Sequence, residues 1–159
     1  MPVIWGTHNK SDIFIDVAII DASTINLTTS PPIGGTIPTP ILFRALLDTG
    51  AQKTMISPKV INTLNLRPLG KILISGVGPT AHFHNGYLFH VAFVAAVILP
   101  GQVLVPGSVV QSLVNILRDP VYGAEIPSSG EAFDVLLGMD IISTGSLVVQ
   151  GNGTYSFSY

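Results

Sequence analysis

The sequence predicts an all-β domain that carries one or two short helices. Most of its apolar residues fall in runs of strand length or alternate with polar residues. The chain also contains 16 glycines and 12 prolines, many of which separate these runs at turn positions. A length of 159 residues suits a single domain. We expect this domain to comprise an N-terminal strand and loop (1–40) and a core (41–159).

The first two predicted strands flank a long irregular segment. Acidic and apolar residues alternate at the start of residues 12–21, which predicts a strand with one face in solvent. Residues 23–40 contain four prolines and the pair Gly34-Gly35, so they predict a loop or an irregular sheet edge. Residues 40–48 form an apolar run that is broken only by Arg44 and ends in Asp48, and they predict the second strand.

A short helix and a β-hairpin are predicted next. Ser57 is a suitable N-cap, and Pro58 suits the first helical position because its missing amide hydrogen is not needed there. Residues 71–75 and 86–99 are predicted strands on either side of a glycine-rich segment. Together they predict a long hairpin.

The last third of the chain contains less regular patterns. Residues 108–118 have apolar residues at helical spacing and predict a second helix, although β-branched residues lower its helix propensity. Residues 121–131 are predicted to form a loop. Residues 133–137 predict a strand, followed by a short helix for which Asp140 is the expected N-cap. The chain ends in two further predicted strands, residues 146–150 and 154–158.

The composition excludes several classes of function. Charged residues make up 10% of the chain, its net charge is −2, and its seven Lys and Arg residues are scattered, so no basic face for nucleic acid is expected. The absence of cysteine excludes disulfides and thiolate zinc sites and is consistent with a cytoplasmic protein. The N-terminus does not resemble a signal peptide, and the longest apolar stretch, residues 87–99, is too short for a membrane helix. With 47% hydrophobic residues, we expect part of the surface to be covered by a partner.

Two motifs carry the chemical information. The first is Asp48-Thr49-Gly50-Ala51, which follows an apolar strand. Glycine at position 50 lets the backbone fold back so that its amide can approach the aspartate. The second motif is Leu136-Leu137-Gly138, followed by Met139 and Asp140. Without the second motif, Asp48 would be interpreted as a turn aspartate that caps a strand.

The two motifs and the hairpin between them resemble those of the retropepsin-like aspartic proteases. The resemblance covers residues 42–159 and implies a single-lobed acid-protease β-barrel, which is half of a pepsin-like fold. It implies that Asp48 is catalytic and that Thr49 joins the subunits in a turn completed by Gly50 and Ala51. It also implies that Gly76, Val77, Gly78 and Pro79 form a flap over the substrate. Leu136, Leu137 and Gly138 would support the catalytic loop, whereas Met139 stands where viral members carry Arg.

The presence of a single Asp-Thr-Gly sequence in the chain predicts a homodimer. One carboxyl group cannot be both base and acid toward the same water, so two copies of Asp48 would have to meet. The expected activity is hydrolysis of extended peptides, without a cofactor or a metal. The alternative is a binding or dimerisation module that keeps the fold but not the activity. His82 and His84 would share a face of a strand, but solvent exposure is the better interpretation because no third ligand is evident.

Overall fold

The computed structural model describes residues 3–9, 11–25, 40–75, 81–96, 112–117, 119–127 and 132–159. These residues form eleven strands and two short helices. The strands are β1 (Val3–Thr7), β2 (Ile13–Asp21), β3 (Leu42–Leu47), β4 (Met55–Ile56), β5 (Gly70–Ser75), β6 (Ala81–Ala96), β7 (Ser112–Ile116), β8 (Val121–Glu125), β9 (Val135–Leu137), β10 (Ser146–Val149) and β11 (Thr154–Ser158). The helices are α1 (Pro58–Leu64) and α2 (Met139–Ile142). Neither helix is long and apolar enough to cross a bilayer.

Six strands close into a barrel in the order β2-β3-β9-β4-β8-β6, and β6 pairs with β2 to complete it. The 16 residues of β6 allow this closure, because separate parts of the strand pair with β8 and with β2. The strands β5 and β7 each extend the sheet by pairing with β6. The all-β prediction with two short helices is therefore confirmed.

The barrel encloses the main hydrophobic core, which includes Phe43, Phe89 and Val135. Strand β2 differs from its prediction. Its first half has one exposed face, at Asp16, but all four residues from Val17 to Ile20 are buried. On the side of this half of the strand that faces away from the main core, Ala18 and Ile20 form a second buried cluster with Ala92 of β6. A strand that is buried on both faces has a continuous apolar sequence, so the alternation at the start of β2 did not extend to its second half. The prediction of one solvent-exposed face holds only for the first half.

A separate three-stranded sheet, in the order β1-β11-β10, packs against the barrel. Phe157 of β11 is fully buried, and its ring meets that of Phe93 edge to face at 5.5 Å between centroids. The ring of Tyr159 lies 4.4 Å from that of Phe93. Burial raises the pKa of Tyr159 to about 12. Strand β11 and the residue after it are thus joined to the core by aromatic contacts, and β1 is joined to them through its pairing with β11.

Two predicted elements were correct in type. Strands β5 and β6 form the expected hairpin, with Leu73 opposite Phe83. The turn residues Gly76, Val77, Gly78 and Pro79 lie outside the described residues. Helix α1 begins as predicted, because Ser57 accepts a hydrogen bond from the amide of Val60 at 3.4 Å.

Two predictions in the last third of the chain were wrong. Residues 112–116, within the predicted helix 108–118, form strand β7, which pairs with residues 92–96 of β6. Residues 121–125 form strand β8 instead of a loop, paired with both β4 and β6. In both cases, hydrogen bonds to a strand far away in the sequence outweigh a weak local pattern.

Candidate active site

Asp48 stands directly after β3, at the end of a strand that is held on both sides. Strand β3 pairs with β2 and, in parallel, with β9. The amide of Asp48 donates to the carbonyl oxygen of Leu137 at 3.0 Å, which continues the β3–β9 pairing past the end of the strand. The position of Asp48 is therefore set by a neighbouring strand about ninety residues further along the chain.

The turn after Asp48 orients its carboxylate. The amide of Gly50 donates to Asp48 Oδ1 at 2.8 Å, and the amide of Ala51 donates to the Asp48 carbonyl oxygen at 3.2 Å. A Cβ at position 50 would lie 3.2 Å from Oδ1, so a side chain there would crowd the carboxylate. Asp48 is half-buried, whereas Thr49 is exposed and its hydroxyl makes no hydrogen bond to any described residue.

The second motif packs directly beneath this turn. The amide of Met139 donates to the carbonyl oxygen of Ala51 at 2.8 Å. The amide of Gly138 donates to the hydroxyl of Thr54 at 3.1 Å. A Cβ at position 138 would lie within 2.6 to 2.9 Å of three backbone atoms of Lys53, which leaves room only for glycine. The structure brings the two predicted motifs together, and the hydrogen bonds here join backbone and hydroxyl groups.

Asp140 was assigned wrongly from the sequence. Helix α2 has Gly138 as its N-cap, without a capping side chain. Instead, the carboxylate of Asp140 accepts hydrogen bonds from Thr54: from the hydroxyl at 2.7 Å, and from the amide at 3.0 and 3.1 Å. The sequence analysis did not identify Thr54, which is fully buried. Its only local signal was a polar residue at the start of the apolar pair Met55-Ile56.

A cleft of about 610 Å³ opens beside Asp48, between the turn and strand β5. It is lined by Asp48, Gly50, Ala51, Gln52, Lys53, Met55, Leu73, Ile74 and Ser75. Asp48 is the one carboxylate in this set, and the rest of the lining combines apolar side chains with the polar side chains of Gln52, Lys53 and Ser75. Strand β5 is also the last strand of its sheet in the described residues, so the backbone on its outer edge has no strand partner there.

Two further apolar residues lie close to Asp48. Leu46 and Leu136 are opposite each other on the parallel strands β3 and β9, and both are half-buried. Their neighbour Leu137, by contrast, lies in the core. Of the predicted supporting residues, Leu137 and Gly138 thus contact the turn through backbone atoms, and Leu136 adds partly exposed apolar surface near it.

The histidines and acids elsewhere in the described chain form no second reactive cluster. His82 is exposed and His84 half-buried, opposite Ile74 and Ile72 of β5. Within the described ranges, no group of three or more histidines and acidic residues is arranged to hold a metal ion. His90 is buried, and its Nδ1 lies 3.2 Å from the carbonyl oxygen of Leu117. Its contacts are those of a core histidine with a hydrogen-bonding partner.

Comparison with known proteins identifies the fold. No protein-family model matches the sequence, and no curated protein matches it either. The structure is similar to the crystal structure of a retropepsin-like aspartic protease from Rickettsia conorii, with a TM-score of 0.51 and 10% sequence identity. The similarity covers 99% of this chain and 91% of that one. The chain thus has the single-lobed retropepsin-like fold.

Proposed function

We propose that this chain is one subunit of an aspartic endopeptidase, in which two copies of Asp48 activate a water molecule for attack on a peptide bond. The placement of Asp48 carries this proposal. Its carboxylate is oriented by the Gly50 amide, its backbone is held by Leu137, and it opens onto a cleft of about 610 Å³. A turn aspartate with a purely structural role has no need of such a cleft.

Two copies are needed because the cleft offers one carboxylate per chain. Two carboxylates about 3 Å apart would repel by roughly 5–6 kcal/mol at an effective dielectric constant of 20. The pair would therefore hold one proton between them. The ionised member would take a proton from water, while the protonated member would donate a hydrogen bond to the substrate carbonyl oxygen. This division of roles requires no residue beyond the two aspartates.

The three-stranded sheet provides a surface on which a second copy can pair. None of the residues in β1, β10 and β11 is charged. The outer edge of β10 has no strand partner in the described chain, and natural proteins usually protect such an edge with charge or proline. Trp5 and Val148 lie in one row across the sheet and are 77% and 46% exposed. Antiparallel pairing of β10 with its symmetry mate would extend the sheet to six strands and give the backbone groups of this edge hydrogen-bonding partners.

The substrate would be an extended polypeptide. The outer edge of β5 runs along the cleft at Leu73, Ile74 and Ser75, and its backbone groups are available for a peptide that adds as a further strand. The apolar lining at Ala51 and Met55 favours uncharged side chains next to the cleaved bond. Backbone recognition of this kind selects for extended conformation more than for sequence.

Cleavage of a denatured protein at mildly acidic pH, with and without pepstatin, tests the proposal. Asp48→Asn should lower kcat/KM by at least roughly 100-fold, since both catalytic roles are lost. Asp16→Asn is the matched control, because Asp16 is exposed on β2 and does not line the cleft. A wild-type protein that binds peptides without cutting them would support the binding-module alternative. Equal activity of the Asp48→Asn variant would show that Asp48 is not the catalyst.

A further inference from the structure

Gly138, Thr54 and Asp140 form a continuous hydrogen-bonded chain that joins the second motif to the segment just after the Asp48 turn. The Gly138 amide donates to the Thr54 hydroxyl, and that hydroxyl donates to Asp140 Oδ1. The Thr54 amide also donates to both carboxylate oxygens. A hydroxyl that accepts one hydrogen bond and donates another polarises both, so the chain is more than two independent contacts. Because Thr54 is fully buried, loss of the Asp140 carboxylate would leave two donors, the Thr54 hydroxyl and amide, without an acceptor.

This chain leads to the backbone that holds Asp48. Gly138 follows Leu137, whose carbonyl oxygen accepts the hydrogen bond from the Asp48 amide. On the other side, Met139 precedes Asp140 and donates to the carbonyl oxygen of Ala51. Any shift of residues 138–140 therefore moves both ends of the catalytic turn. The tight fit of Gly138 against the Lys53 backbone leaves little space in which such a shift can be absorbed.

We propose that Asp140 is a positioning residue, which acts through Thr54 and Gly138 to hold the Asp48 turn in its reactive geometry. The inference rests on the proposed peptidase function, and it adds a residue outside the Asp-Thr-Gly turn to the catalytic machinery. The competing explanation is a purely local role, in which an acidic residue in the first turn of α2 stabilises that helix. The two explanations differ in what happens at Asp48 when Asp140 is changed.

The test compares Asp140→Ala with Asp140→Asn at a temperature well below the Tm of both variants. A displaced turn should lower kcat of Asp140→Ala by roughly 10- to 100-fold, with KM changed less than about threefold. Asp140→Asn keeps one side-chain oxygen that can accept from Thr54, so its kcat should recover to within about fivefold of wild type. Thr54→Ser, which keeps the hydroxyl, should behave like Asp140→Asn. A local role predicts instead that Asp140→Ala lowers Tm and leaves kcat unchanged, and that result would overturn the proposal.

Amide hydrogen exchange separates this inference from the proposed function, because it requires no activity. In Asp140→Ala, exchange at Asp48, Gly138 and Met139 should accelerate at least about tenfold, while the core amides of β2 keep their protection. Wild-type exchange rates at Asp48 and Met139 in this variant would refute the positioning role, even if the enzyme were active. Accelerated exchange in a protein without peptidase activity would support the coupling and refute the proposed function.

Discussion

Gly138→Ala probes the contact on which the candidate site is built. A Cβ at this position would lie 2.6 Å from the backbone carbonyl carbon of Lys53, 2.7 Å from the carbonyl oxygen and 2.9 Å from the backbone nitrogen of the same residue. All three are backbone atoms, so no change of rotamer can relieve the overlap. Gly138 and the start of helix α2 must therefore move away from the Asp48 turn.

The size of the movement follows from the same distances. Ordinary contact of a Cβ begins at 3.4 Å, so the backbone must separate by about 0.8 Å from its nearest atom. Overpacking of this kind typically costs about 1–3 kcal/mol. For a chain of this length, that cost corresponds to a Tm lower by roughly 2–12 °C. A misplacement close to 1 Å at a catalytic group lowers kcat by about 100-fold.

The assay measures kcat, KM and Tm for Gly138→Ala beside Gly151→Ala. Gly151 is the matched control because a Cβ there meets no atom within 4 Å and its backbone is not left-handed. We expect the control to match wild type, and Gly138→Ala to lose kcat by far more than its lower Tm explains. A Gly138→Ala variant that is folded and as active as the control would refute the claim that this contact positions Asp48.

Three further predictions concern the dimer, the working pH and alkaline stability. Val148→Lys places a charge on the β10 edge, so it should shift the protein toward monomer in sedimentation. The specific activity of this variant should also fall more steeply on dilution than that of wild type. A fully active monomer would contradict the dimer. Ala51→Ser should move the kcat/KM profile toward acid, because the hydroxyl can stabilise the ionised form of the pair; an unchanged or alkaline-shifted profile would exclude position 51 from this role. Because burial raises the pKa of Tyr159 from 10.0 to about 12, its contribution to stability is complete below pH 10 and is lost between about pH 10 and 12. The free energy of unfolding, measured with denaturant across that window, should fall less in Tyr159→Phe than in wild type. Equal losses of unfolding free energy would contradict the raised pKa of Tyr159.

Local patterns were sufficient for several elements of the fold and for the turn at Asp48. Helix α1 could be predicted because Ser57 and Pro58 satisfy the demands of a helix start without help from distant residues. The hairpin of β5 and β6 was equally local. The turn at Asp48 was predictable because the need for glycine at position 50 arises within two residues of the aspartate.

The tertiary structure alone decided the rest. Strands β7 and β8 form because β6 and β4 offer them hydrogen-bonding partners, which outweighs the helical spacing of one segment and the loop-like composition of the other. Asp140 looked like a helix cap because that is the usual local use of an aspartate before a short helix. Its actual partner, Thr54, lies 86 residues earlier in the chain. A contact at that separation leaves no periodicity or spacing in the sequence, because it exists only once the barrel has brought the two segments together.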